Sequence, residues 1–242
     1  MVMRGELVKT LTADGLWLHG FLIEPPKQSN FAIIHVHGHE GNFYENDFLS
    51  VIAELAVSKS FAFLTGNNRG SGRDMDFWNA GYSGYHRVGA ERERFTDCVY
   101  DIGGWLSFMR QRGYMKFILE GHSYGGPKIA YAQWKQRDVG VYGLILLAAT
   151  TLQTVHLPFF DFSRPESIQG LFSEISLPSL WVYGGGKDAF IVDPKAYFRV
   201  ASIIPDADAH YLHEARHHFV GHYEELRQIL DDWIDTLFSK HN

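Results

Sequence analysis

The chain has 242 residues, 45% hydrophobic, 21% charged and 15% aromatic, with a formal net charge of −6. That length suits one domain able to bury roughly 70–75% of its unfolded surface, and the composition excludes a disordered or fibrous chain. The acidic balance, with no Lys/Arg run, argues against a nucleic-acid partner, and no apolar run reaches the ~18–20 residues of a membrane span. The first residues carry no signal-peptide core and the single cysteine, Cys98, cannot form an internal disulfide, so the expectation is a cytoplasmic protein.

Residues 6–12 and 17–24 read as strands around Ala13-Asp14-Gly15, a hairpin signal. Residues 31–36 are a short apolar run. Residues 46–59 carry apolar side chains at 48, 51, 52, 55 and 56, which is helical spacing. A further strand is expected at 61–65. Residues 91–113 place Phe95, Val99, Ile102, Leu106 and Met109 on one helical stripe, weakened by Gly103-Gly104 at about 1 kcal/mol each. Strands follow at 116–119, 143–148, 180–183 and 209–212, with helices at 124–137, 194–201 and across the stripe Tyr223, Leu226, Leu230, Trp233, Leu237. Strand–helix alternation with continuously apolar strands predicts an α/β architecture: a mostly parallel sheet of about eight strands, helices on both faces and the opening hairpin as an antiparallel edge. Two segments break the alternation, 69–90 and 150–175. Both leave the carboxyl ends of strands, where open parallel sheets bind ligands.

Gly121-His122-Ser123-Tyr124-Gly125 lies between the strand that starts at Lys116 and the helix that continues through Lys128–Trp134. A serine on a very tight strand-to-helix turn takes strained backbone angles, and glycines two before and two after leave room for the crossing chain. The turn lifts the hydroxyl off the sheet and points helix N–H groups toward a reacting carbonyl. Pro127 falls in the first helical turn, where its missing N–H is tolerated.

With His37-Gly38 after the third strand, Asn68-Arg69-Gly70-x-Gly72 after the fourth, the Ser123 turn, Gly185-Gly186-Lys187-Asp188 and the His217 region, the chain resembles the α/β-hydrolase-fold serine hydrolases over nearly its whole length. Among them it looks most like small esterases with a minimal lid, including the feruloyl-esterase-like group. The resemblance implies a three-layer fold in one domain over 1–242, with 150–175 as a short lid insertion. It implies a triad in the order Ser123, Asp188, His217. Asp188 ends an apolar strand that opens into a glycine turn, and the alternative place after residues 143–148 offers only Thr150 and Thr151. Glu214-Ala215-Arg216-His217-His218-Phe219 resembles the family's histidine loop, departing at Glu214, where glycine is common, and in the adjacent His218, which is the alternative base. The oxyanion hole is expected from the backbone N–H groups of Tyr124 and His39.

His35, His37 and His39 invite a metal reading, which we set aside because Glu40-Gly41-Asn42 supplies no Asp-His partner. No metal or cofactor is expected. Trp78 and Tyr82 in the first irregular segment, with Phe77 and Tyr85, and Phe159 and Phe160 in the second, with Phe162 and Phe172, suggest an aromatic-lined pocket for an apolar or aromatic group. The charged run at Glu91–Arg94 reads as a solvated helix start, and Trp17, Trp105 and Trp181 as core.

The expected function is a serine hydrolase cleaving a small-molecule carboxylic ester or thioester through an acyl-enzyme. Carbon–carbon bond hydrolysis or acyl transfer by the same triad, and a non-catalytic ligand-binding protein of the same fold, stay open, as does a homo-oligomer.

Overall fold

A computed structural model describes residues 4–27, 29–149, 165–186 and 194–239. The strands are β1 (Glu6–Leu11), β2 (Trp17–Ile23), β3 (Phe31–Val36), β4 (Ala62–Gly66), β5 (Met75–Trp78), β6 (Tyr85–Val88), β7 (Lys116–His122), β8 (Val141–Leu147), β9 (Ser179–Gly184) and β10 (Ala207–Leu212). The helices are α1 (Phe48–Ser58), α2 (Cys98–Gln111), α3 (Gly125–Gln136), α4 (Pro165–Ile175), α5 (Pro194–Ile203) and α6 (Tyr223–Ser239). Eight strands form one sheet in the order β1-β2-β4-β3-β7-β8-β9-β10. Pairing is antiparallel from β1 to β2 and β2 to β4, and parallel from there on. The expected α/β architecture with an antiparallel edge is therefore the observed one.

Period-2 alternation divides the core into two layers. Ile34, Leu119, Leu144, Leu146 and Trp181 face the helices α2 to α5, with Ile102, Ile129 and Val200 packed on them. Ile33, Ile118, Ile145, Leu180 and Val182 face α1 and α6, against Phe48, Ile52, Leu230 and Trp233. Strands buried on both faces explain the unbroken apolar runs of the sequence. The opening hairpin turns on Gly15 at φ +90°, with the Thr12 hydroxyl donating to Asp14 Oδ1 (2.6 Å). No helix among the described residues is long and apolar enough to cross a membrane.

Three expectations need correction. The helix predicted from residue 91 begins at Cys98, because Arg92 and Glu93 both donate their backbone N–H to Gly89 O (2.9 Å) and Arg94 is extended. Gly103-Gly104 does not break it, and the Thr10 hydroxyl donates to Gly104 O (3.0 Å). The segment 69–90, which breaks the strand–helix alternation, holds a hairpin of β5 and β6. Of the predicted lid, 150–164 lie outside the described residues and 165–175 are α4, whose Leu171 and Phe172 are buried in the core, with the Phe172 ring 5.3 Å from that of Trp181. Phe172 is therefore core.

Candidate active site

Ser123 follows β7 directly and has φ +55°, the left-handed region that costs a side-chain-bearing residue strain. Its amide donates to Leu147 O (2.8 Å), which locks the turn to β8. The flanking glycines answer to close approach. A Cβ on Gly121 would lie 2.4 Å from Gly125 O, and one on Gly125 2.0 Å from Val36 O at the end of β3. Ser123 is 8% exposed. Among the described residues its hydroxyl makes no hydrogen bond.

The loop after β3 lies on this hydroxyl. A Cβ on Gly38 would sit 2.8 Å from Ser123 Cβ and 3.3 Å from Ser123 Oγ. His37 sets the orientation of the next peptide. The Asn68 amide donates to His37 Nε2 (3.1 Å), so Nε2 carries the lone pair and the Nδ1–H donates to Gly38 O (2.8 Å). Burial, and then the Lys128 charge, hold His37 well below the ordinary imidazole range, so it stays neutral. In a trans peptide the carbonyl and the next N–H point opposite ways, so the His39 N–H is turned away from His37. The His39 and Tyr124 rings meet edge to face at 6.1 Å, so the two residues expected to supply the oxyanion amides are in contact. Among the described residues neither amide donates a hydrogen bond.

The histidine loop joins β10 to α6. Gly186 N donates to Ala215 O (2.7 Å) and Gly185 N to Leu212 O (3.0 Å), so the exit of β9 runs alongside this loop. Asp188, two residues beyond Gly186, lies outside the described residues, as do Phe159 and Phe160. His217 is half-buried and His218 exposed. The His122 ring donates from Nε2 to the His217 backbone carbonyl (2.9 Å), and the two rings lie 4.7 Å apart. Ser123 and His217 thus share one end of the sheet, and no hydrogen bond joins their side chains. Such contacts often tighten only with substrate bound.

Trp78 and Tyr82 lie at the β1–β2 end of the sheet, and β2 is separated from β7 by β4 and β3. Tyr82 stacks on Trp17 at 5.6 Å and accepts from Lys9 Nζ (2.6 Å), and Trp78 packs on Tyr85 at 4.1 Å. Trp17 is accordingly half-buried under this cluster, not core, whereas Trp105 and Trp181 are core.

His35, His37 and His39 diverge. His35 Nδ1 meets Glu120 in the buried interior, both ring nitrogens of His37 are engaged, and the His39 side chain is 59% exposed.

Sequence reasoning missed a buried polar cluster beside Tyr124. Lys128 is fully buried, with Nζ 2.6 Å from Glu93, 3.0 Å from Asn68 Oδ1 and 4.9 Å from the Tyr124 ring centroid. Glu93 is therefore no solvated helix-start residue; its side chain is 4% exposed. Only its place in a loop, invisible to helical periodicity, turns it inward. Arg69 is likewise tied down, by Asp14 (2.9 Å), Asp97 (3.3 Å) and Asp101 (2.8 Å).

The chain has the α/β-hydrolase fold, as comparison with solved structures shows along its whole length. Est1E from Butyrivibrio proteoclasticus matches with a TM-score of 0.73 at 14% identity, covering 98% of this chain and 100% of that one. An α/β serine hydrolase without lid from Xanthomonas campestris matches with a TM-score of 0.70 at 17% identity, over 98% and 96%. Dienelactone hydrolase from Anabaena variabilis matches with a TM-score of 0.67 at 15% identity, over 97% and 98%. No family model and no curated protein sequence matches the chain. Identities this low establish shared architecture, and function has to be argued from the site.

Proposed function

We propose that this protein is a serine hydrolase that cleaves a small carboxylic ester or thioester. The observation that carries the reading is the Ser123 turn: a strained serine between two glycines that admit no side chain, its hydroxyl without a hydrogen-bond partner among the described residues, and the Gly38 backbone against it. Ser123 Oγ attacks the acyl carbon while His217 takes its proton, and Asp188 orients His217. The amides of Tyr124 and His39 stabilise the tetrahedral oxyanion. His217 then protonates the leaving alcohol or thiol, and water repeats the sequence on the acyl-enzyme. The chemistry needs no metal or cofactor, and we place it in the cytoplasm. Est1E has been seen with ferulic acid bound, which favours aryl-substituted acyl groups as first substrates to try. Phe159 and Phe160 remain the proposed aromatic lining, whereas Trp78 and Tyr82, packed with Tyr85 and Trp17 at the β1–β2 end of the sheet, are not proposed for it.

The test is active-site labelling with a fluorophosphonate, alongside a panel of small aryl esters. Wild type is expected to label and to hydrolyse at least one ester, and Ser123→Ala to do neither. Turnover of diketones without any ester would move the assignment to carbon–carbon cleavage. An unlabelled, inactive wild type would leave a binding protein of this fold.

A further inference from the structure

We infer that His122, the residue immediately before the candidate nucleophile, is a positioning residue for the candidate base, anchoring the His217 backbone to the strand that carries Ser123. The inference rests on the proposed serine-hydrolase reading and extends it to a residue outside the triad.

The two residues are 95 apart in sequence, yet His122 Nε2 lies 2.9 Å from His217 O. A carbonyl only accepts, so Nε2 carries the proton and the ring donates. His122 is buried and occupies the last position of β7. Its ring is wedged between Phe48 of α1 (4.8 Å) and the rings of His217 (4.7 Å) and His218 (5.1 Å). On the same face of β7, two residues earlier, Glu120 is paired with His35 of β3. Among the described residues, the ionisable groups around His122 are His217 and His218 from the loop above and His35 and Glu120 from the sheet below. Burial, and then the neighbouring His217, hold His122 far below the usual imidazole range, so the donor geometry is kept near neutral pH.

The consequence is geometric. The path from Ser123 to His217 runs through one peptide bond, one imidazole and one hydrogen bond, so the strained turn that raises the hydroxyl also sets the base's backbone height above it. The other flank of the loop is held from β9, through Gly186 N and Ala215 O (2.7 Å). The His122 bond is what ties the loop to the nucleophile's own strand. Because it engages the backbone carbonyl, it occupies neither ring nitrogen of His217. Misplacement of a reacting group by about 1 Å can cost on the order of 10²-fold in rate with little effect on substrate binding.

The experiment compares His122→Met with His122→Gln, using Ser123→Ala as the control. Gln places an amide donor near the position of Nε2; Met has similar length and no donor. Expected is a fall in kcat of about 10–100-fold for His122→Met with KM within about twofold, and His122→Gln within about fivefold of wild type. Two results would overturn the inference while the hydrolase reading stands: His122→Met keeping wild-type kcat in preparations where Ser123→Ala is inactive, or Gln and Met equally impaired with native melting temperatures. An active Ser123→Ala removes the hydrolase reading, and this inference with it. Should His122→Met fail to fold, 15N-histidine NMR of the wild-type protein decides. A neutral His122 with a slowly exchanging Nε2–H is expected, and the Nδ1–H tautomer or a freely exchanging ring proton refutes the anchor.

Discussion

Replacing Ser123 by Ala and by Gly separates the chemistry of this residue from its strain. Both changes remove the same hydroxyl, which has no hydrogen-bond partner among the described residues, so its loss is common to the two variants. They differ by one Cβ at φ +55°. A left-handed backbone costs a residue with a Cβ about 1–2 kcal/mol, and the extra freedom of glycine in the unfolded chain returns about 0.5–1 kcal/mol of that. Ser123→Gly is therefore expected to be more stable than Ser123→Ala by about 0.5–1 kcal/mol. For a chain of this size that is a Tm higher by about 1–4 °C. Calorimetry or urea unfolding measures the difference, and aryl-ester hydrolysis reports activity on the same samples. Activity is expected to fall by at least about 10³-fold in both. A glycine variant less stable than the alanine variant contradicts the strained turn. An alanine variant with more than about 1% of wild-type activity contradicts the nucleophile.

Lys128→Met strands the buried Glu93 carboxylate, whose Oε1 already lacks a partner. It should destabilise by about 3–5 kcal/mol in urea titration, and the double variant with Glu93→Leu should recover most of that loss. An unchanged single variant would show that the pair is not buried as described. Gly38→Ala drives a Cβ to 2.8 Å from Ser123 Cβ, so fluorophosphonate labelling should slow by about 10²-fold while circular dichroism stays native. Labelling at the wild-type rate would separate Gly38 from the site. The neutral, buried His37 and His122 make stability fall with acid: the unfolded imidazoles take up protons near pH 6.5 while the folded ones resist, so the unfolded state binds more protons. Between pH 6.5 and 5.5 each contributes a loss of about 1 kcal/mol, and His122→Gln should remove one of the two contributions. A flat pH dependence over that interval would mean that both rings titrate in the folded state as they do in the unfolded chain.

Where chemistry is local in the chain, the amino-acid order carried it. Apolar runs bounded by turn residues gave the strands of a sheet covered on both faces, and Asp14-Gly15 gave its edge hairpin. Gly121-x-Ser123-x-Gly125 gave the elbow, because its steric demand falls within five residues. The tertiary structure decided what depends on residues far apart. Glu93 and Lys128 look like surface charges until a loop and a helix bury them against each other. Phe172 looks like pocket lining until α4 lays it on Trp181. His122 has no visible role until the loop before α6 brings the His217 carbonyl to its ring. Periodicity reports which face of an element is apolar, not which distant group it will meet. Such meetings are fixed only when the sheet closes and every buried donor must find an acceptor.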